Sequence, residues 1–586
     1  MGSGFKSLGA HQKQKAPVLK SRGFLHAENR AECSHLARLS FVDGSRSRHV
    51  SANINPASLD ESEAMTQLSS SGATALGIEL GSTRIKACLT NASGAVLAVG
   101  SHEWENSLID GLWSYSLDEV HAGVRAAYAD LVGALGEAPA AIDAIGVSAM
   151  MHGYLAFDEG GELLVPFRTW RNVNTGAAAA QLSEALDINI PLRWSIAHLH
   201  QAVLDGEEHV ARIAHVTTLA GYVHEKLTGE RILGVGDASG VFPIDSETGT
   251  YDAGRLATAE RLIQEAGAAH LRLEAVLPAV RAAGASGGRL TADGAAFLDA
   301  SGTLAAGSLV CPPEGDAGTG MVATNAVTPR TGNVSAGTSI FAMIVLENAL
   351  ASRHEEIDLV ATPAGHQVAM VHCNNGASEI GEWAGVFREF ARAIGSDASA
   401  DDVFGAFLAG ALERGSDDGI YAYNHLSGEP IARLDAGRPL VARTPDSKLS
   451  LAGLARSQVR GSFATLALGM KTLADEGVAV DGIRAHGGVF RTAGVAQTLL
   501  AEALGAPVTV GEGASEGGAW GMALLAAYAL AETDQTLADW LGSVVFAGEE
   551  TSTVEPDAAA VADHADFLER WAEGLETERA AARTMK

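Results

Sequence analysis

Cysteine is scarce: 4 residues in a chain of 586, at Cys33, Cys88, Cys311 and Cys373. They show neither a C-x-x-C pair nor zinc-type spacing. That excludes a disulfide framework and fits free, mostly buried thiols in a reducing compartment, hence a cytoplasmic protein. Basic residues are outnumbered, and the formal charge is −30. A dedicated nucleic-acid binder needs a basic face, so nucleic acid is not an expected partner. Long apolar runs are missing too. The most apolar stretch, residues 517–531, is too short to span a bilayer and reads as a buried helix. No membrane association is expected. The chain carries no G-x-x-x-x-G-K-[ST], so it has no P-loop. What it does have is a globular composition: 47% hydrophobic, 19% charged, 67 Gly and 16 Pro.

Residues 1–64 stand apart. They carry 9 Lys and Arg against 6 Asp and Glu, whereas the remaining residues carry 32 against 65. The segment shows no sustained hydrophobic period and no apolar core of a secretory signal. Residues 1–72 are therefore expected to be a disordered extension, with Met65 a candidate native start. A transit peptide is the alternative.

From residue 73 the pattern is α/β. Residues 75–79 and 85–89 read as strands around a polar tip at Gly81-Ser82-Thr83, and 95–99 as a third strand. Ser116 and Glu119 form a capping box, followed by Val120, Val124, Tyr128, Leu131 and Leu135 on one helical face. Residues 142–147 are again a strand. The second half repeats this grammar. Strands at 332–336 and 340–345 flank Gly337-Thr338-Ser339. A strand at 482–485 leads to His486-Gly487-Gly488, a helix capped by Thr492 and ended by Gly505, and a strand at 507–510. The intervening residues 157–311 read as insertion and substrate-binding material. Residues 546–586 read as an acidic, helical tail that docks through Leu568, Trp571 and Leu575.

Two Gly-Ser/Thr turns opening two similar halves carry chemistry. Glycine lets the backbone approach an anion, and successive N–H groups and hydroxyls hold phosphate oxygens. A carboxylate beside them, Glu79, suits Mg²⁺ through water. Each turn on its own is also simply a good hairpin tip. Asp316, in the loop Pro312-Pro313-Glu314-Gly315-Asp316-Ala317-Gly318, is either a turn-former or a general base placed where a substrate hydroxyl meets a γ-phosphate.

These residues resemble the FGGY carbohydrate kinases of the sugar kinase/Hsp70/actin superfamily. The likeness runs from about residue 73 to about residue 530. Residues 77–86 resemble the first phosphate loop. Val147-Ser148-Ala149-Met150-Met151-His152-Gly153, with Phe157-Asp158, resembles the sugar-contacting segment of xylulokinase-like members. Leu227-Thr228-Gly229-Glu230 and Asp237-Ala238-Ser239-Gly240 match another family run. Gly315-Asp316-Ala317-Gly318 matches the catalytic Asp loop, and Ser335-Ala336-Gly337-Thr338-Ser339 the second phosphate loop. Gly487-Gly488 and Glu516-Gly517-Gly518-Ala519-Trp520-Gly521 match the adenosine region.

The resemblance implies two ribonuclease H-like domains, over 73–312 and 313–545, with an active-site cleft between them. It implies transfer of the ATP γ-phosphate to a hydroxyl of a ketose, a pentulose first, with Asp316 as general base. Gly81, Ser82, Thr83, Gly337, Thr338, Ser339, Gly487 and Gly488 would bind ATP. Glu79 and Asp316 would hold Mg²⁺, and Met151, His152, Trp170 and Asn172 the sugar. A small-molecule sugar is the implied partner, and a homodimer is common among members. Two departures stand out. Glu79 replaces the family's usual Asp. Trp170-Arg171-Asn172-Val173-Asn174 stands where xylulokinases carry Trp-Asn-Asp-x-Arg, which leaves hexulose, polyol and sugar-acid substrates open. A non-catalytic sugar or nucleotide sensor and a chaperone-like ATPase are the competing classes. Outside the resemblance, His152 also reads as a structural histidine, Trp170 as core and Asp237 as a turn or cap residue.

Overall fold

The computed structural model describes residues 72–511 and 517–585. The expected N-terminal extension with Met65, Cys33, and Glu516 lie outside them.

The first half is built on a six-stranded sheet. β1 (Thr74–Leu80), β2 (Arg84–Asn91) and β3 (Val96–Glu103) form an antiparallel meander. Helix α1 (Leu117–Leu135) returns the chain to β4 (Ala144–Ala149), which runs parallel to β1. Ser116 and Glu119 make the expected capping box, and Val120, Val124, Tyr128, Leu131 and Leu135 are all buried. Every residue of β4 is buried, as suits a central strand covered on both faces. The middle segment adds further helices, among them the short α2 (Val235–Ser239). The chain then rejoins the sheet as β5 (Leu309–Val310) and β6 (Glu314–Gly315), both parallel to β4. The first sheet thus runs on to Gly315, three residues beyond the expected boundary at 312. Helix α3 (Asp316–Ala323) leaves it.

The second half repeats the plan. β7 (Thr331–Ala336), β8 (Ile340–Val345), β9 (Asp358–Ala361) and β10 (Gln367–Cys373) pair antiparallel in the order β7-β8-β10-β9. Helix α4 (Ser378–Ala393) follows, and later the buried α5 (Leu451–Asp475). β11 (Gly482–His486) then lies parallel to β7, and β12 (Val508–Gly511) parallel to β11. An antiparallel meander, of three strands in the first half and four in the second, continued by parallel strands, is the ribonuclease H-like arrangement of the sugar kinase/Hsp70/actin type. Thr492 does not cap the helix between β11 and β12. It closes a short 3₁₀ turn, and left-handed Gly494 precedes helix α6 (Val495–Leu504).

Helix α7 (Gly517–Leu530) is almost wholly buried, and no described helix is long and apolar enough to cross a membrane. Its small residues let it lie directly on β1 and α3. A methyl added at Gly77 would fall 2.1 Å from Ala519 O, and one at Gly521 would fall 2.0 Å from Thr319 O. The last strand, β13 (Thr551–Val554), is followed by helix α8 (Ala558–Thr584). Phe567, Trp571 and Leu575 dock it, Trp571 Nε1 donating to Ala422 O at 2.8 Å. Leu568, partly buried, packs against the same cluster as expected, and Phe567 adds a buried contact.

Candidate active site

The tip between β1 and β2 is braced from below by aromatic side chains. Trp104 Nε1 donates to Gly81 O at 2.7 Å, and Tyr115 Oη to Ser82 O at 2.6 Å. Their rings stack with centroids 4.1 Å apart. With its carbonyls held this way, the tip leaves the Ser82 and Thr83 hydroxyl groups at the surface of the turn. Glu79, near the end of β1, is half-buried beside the start of α7, where the absence of a Gly518 side chain makes room for it; a methyl there would lie 2.3 Å from Glu79 Oε1. Burial first, and the charge of Asp316 second, push its carboxyl up to about 7; Lys86 and the Ala519 N–H oppose the shift.

Asp316 is the first residue of α3, so Gly315 and the strand before it fix its position at the edge of the first sheet. Its Oδ1 accepts N–H groups from Met151 at 3.2 Å and Ala317 at 3.0 Å. Burial raises its carboxyl to about 6, and those N–H groups limit the rise. The base candidate therefore adjoins the sugar segment on one side and Glu79 on the other. Among the described residues, no three His, Cys, Asp or Glu side chains converge as a metal site. Two half-buried carboxylates, with the Asp316 charge raising Glu79, fit a Mg²⁺ ion held mainly by phosphate and water.

Two further carboxyl groups lie behind Asp316. Asp237 on α2 is fully buried, accepts from Thr218 Oγ1 at 2.6 Å on one oxygen, and has no partner for the other among the described residues. Burial raises it to about 7. Glu314 sits in a cradle made by Gly234 and Gly236, accepts the Asp237 N–H at 2.9 Å, and is raised by burial to about 8. Asp237 is thus more than a turn or cap residue. Glu314 was not singled out from the sequence; its place two residues before Asp316 was the only signal.

The second turn is carried between β7 and β8. Gly337 N–H donates to Ser339 O at 2.9 Å. Gly376 and Ala377 donate to Thr338 O and Gly337 O, each at 2.8 Å, so α4 begins on this turn. The N-terminus of α4 has no side-chain cap, which leaves N–H groups for an anion. Sequence reasoning missed this helix start; the Gly376-Ala377-Ser378 run was its signal. Gly487, at φ 119, brings the β11 loop onto the same turn, where an added methyl would fall 2.1 Å from Ala336 O.

In the sugar segment, Met151 packs against Gly315, where a methyl would meet Met151 Cγ at 2.2 Å. His152 is buried with φ 68, its Nδ1 lies 3.2 Å from Gly240 O, and burial together with the Arg193 charge lowers it to about 3. The ring is neutral; a proton on Nδ1 would leave Nε2 as an acceptor for a hydroxyl. Trp170 is 37% exposed, not core, and its Nε1 donates to Ser82 Oγ at 3.2 Å, which links the sugar side to the first turn. Asn172 is buried and its amide is engaged by backbone: Oδ1 accepts from Trp113 N, and Nδ2 donates to Trp113 O, both at 2.8 Å. Its geometry is that of a clamp on the Trp170 loop, not a group aimed at a ligand.

Comparison with known proteins agrees in both halves. Residues 74–303 match the model of the FGGY family of carbohydrate kinases, N-terminal domain, and residues 332–530 that of the C-terminal domain. No curated protein matches the chain. Solved structures of similar fold include a xylulose kinase from Rhodospirillum rubrum, 20% identical, TM-score 0.69, covering 86% of this chain and 98% of its own. A gluconate kinase from Lactobacillus acidophilus is 17% identical, TM-score 0.70, covering 87% and 99%. The Plasmodium falciparum glycerol kinase with ADP is 12% identical, TM-score 0.67, covering 86% and 98%.

Proposed function

Since the chain belongs to the FGGY family of carbohydrate kinases, phosphotransferases that act on sugar hydroxyl groups, we propose that it phosphorylates a ketose of pentulose size from ATP, with Asp316 as general base. The observation that carries this reading is Asp316 Oδ1 at 3.2 Å from the Met151 N–H: a carboxylate with its proton affinity near neutrality touches the sugar segment. The substrate hydroxyl gives its proton to Asp316 as its oxygen bonds to the γ-phosphorus, and the bond from that phosphorus to the β–γ bridging oxygen breaks to release ADP. The two turns and the α4 N-terminus hold phosphate oxygens. Glu79 and Asp316 are the residues that would hold Mg²⁺, which neutralises charge on the phosphates. Trp170 forms a wall between sugar and first turn, and Asn172 holds that wall in place.

The pentulose reading rests on the Met151-His152-Gly153 segment and on xylulose kinases among the structural neighbours. Gluconate and glycerol kinases of similar TM-score support the alternative of a sugar acid or polyol. Incubation with Mg-ATP and a panel of ketopentoses, ketohexoses, polyols and sugar acids, read by mass spectrometry for the phosphorylated product, tests both. A phosphopentulose is expected; a phosphorylated acid or polyol alone would replace the pentulose reading. Absence of any product would favour the sensor reading. The buried free thiols of Cys311 and Cys373 support a cytoplasmic location, which cell fractionation checks.

A further inference from the structure

Residues 189–195 touch both halves of the molecule. On one side they hold the sugar segment. Arg193 O accepts the Gly153 N–H at 3.4 Å, and Ser195 Oγ donates to Gly153 O at 2.5 Å. The Trp194 ring stacks with the His152 ring, centroids 6.4 Å apart and planes 19° from parallel. His152 and Gly153 have φ of 68 and 90. A left-handed histidine persists only where its surroundings over-determine it. These three contacts are such surroundings.

On the other side the same residues grip β9 in the nucleotide half. The Arg193 guanidinium pairs with Asp358 Oδ2. Asn189 Nδ2 donates to Asp358 Oδ1 and to Ile357 O, both at 3.1 Å. Both oxygens of the buried Asp358 carboxylate are therefore held by the first half. At the far end of β9, Ala361 N–H donates to Ser239 Oγ at 2.9 Å, on the helix that carries Asp237. None of Asn189, Arg193 and Asp358 belongs to the reacting set around Asp316, yet together they tie the segment that holds His152 and Gly153 to β9.

Resting on the sugar-kinase reading, we propose that Asn189, Arg193 and Asp358 are positioning residues. They form a polar latch that makes sugar binding at His152 and nucleotide binding in the second half depend on one another. When β9 is in place, Arg193 is oriented by Asp358, and its carbonyl in turn holds the Gly153 backbone that sets His152. A ligand that favours one side of this arrangement favours the other, and the dependence is reciprocal.

The test is calorimetric titration of a non-hydrolysable ATP analogue with Mg²⁺, with and without the sugar that supports turnover. The wild type is expected to bind the analogue at least about fivefold more tightly with sugar present. Asp358→Asn and Arg193→Met are each expected to bring that ratio close to one, and the double variant no further. Arg193→Lys, which keeps the charge, should retain most of it. A merely structural role would weaken both ligands and lower the unfolding temperature while leaving the ratio unchanged. A wild-type ratio of one, or an unchanged ratio in folded Asp358→Asn and Arg193→Met, overturns the latch. Absence of turnover with every sugar overturns the kinase reading, and the latch with it.

Discussion

A single methyl group separates two outcomes on the helix that carries Asp316. Gly521 on α7 and Gly320 on α3 are both helical glycines at or near the same helix pair, but their surroundings are opposite. A methyl at Gly521 would lie 2.0 Å from Thr319 O, whereas one at Gly320 meets nothing within 4 Å. Ordinary contact begins near 3.4 Å, so Gly521→Ala must part the two backbones by about 1.4 Å. The obstacle is a backbone oxygen, which no rotamer change relieves. Overpacking of this kind costs about 1–3 kcal/mol. Because Thr319 lies three residues from Asp316 on the same short helix, the displacement reaches the base. A shift of about 1 Å in a catalytic group costs up to about 10²-fold in rate. Gly320→Ala restricts only the unfolded chain and should stabilise by about 0.4–1 kcal/mol with unchanged turnover. Thermal unfolding and coupled ADP-release assays on both variants give the comparison. Wild-type turnover and stability in Gly521→Ala would refute the argument that α7 sets the position of Asp316.

Three other outcomes follow from the same site. The Asp316 carboxyl is raised to about 6 and acts only when ionised, so kcat/KM for the sugar should fall about tenfold per unit below about pH 6 and level off above it; a profile flat to pH 4.5 contradicts this. Glu79 and Asp316 hold protons near neutrality in the free protein, so Mg²⁺ binding should release protons at pH 6.5, seen as a dependence of the calorimetric heat on buffer ionisation enthalpy; equal heats in all buffers contradict it. Asn172→Ala removes the acceptor of the Trp113 N–H, while Trp113 O keeps the Thr169 N–H; the loss should cost about 1–3 kcal/mol and raise the sugar KM more than it lowers kcat; an unchanged KM would assign Asn172 to stability alone.

Much of the fold was legible because its signals are local. The capping box at Ser116 and Glu119, the five apolar positions of α1 and the two Gly-Ser/Thr tips each depend on neighbours a few residues apart. The features that could not be read depend on distant pairings. Asn172 looked like a ligand-facing polar residue, and only the fold reveals that the Trp113 backbone, far away in sequence, occupies its amide. Asp237 read equally as a turn or cap residue; its burial follows from packing against Glu314 and Thr218. Thr492 looked like a helix cap from its side chain, while the left-handed backbone at Gly494 decided where α6 begins. The interhalf bonds of Arg193 and Asn189 to Asp358 had no local signal at all.

The most direct test of the central claim is the Asp316→Asn variant, which keeps the side-chain shape and removes the base. ADP release at saturating sugar and Mg-ATP is measured beside the affinity for a non-hydrolysable ATP analogue. Loss of a positioned general base predicts a fall in turnover of about 10²–10⁴-fold with nucleotide affinity kept within a few-fold. Turnover within a few-fold of the wild type in a folded Asp316→Asn protein would contradict the account.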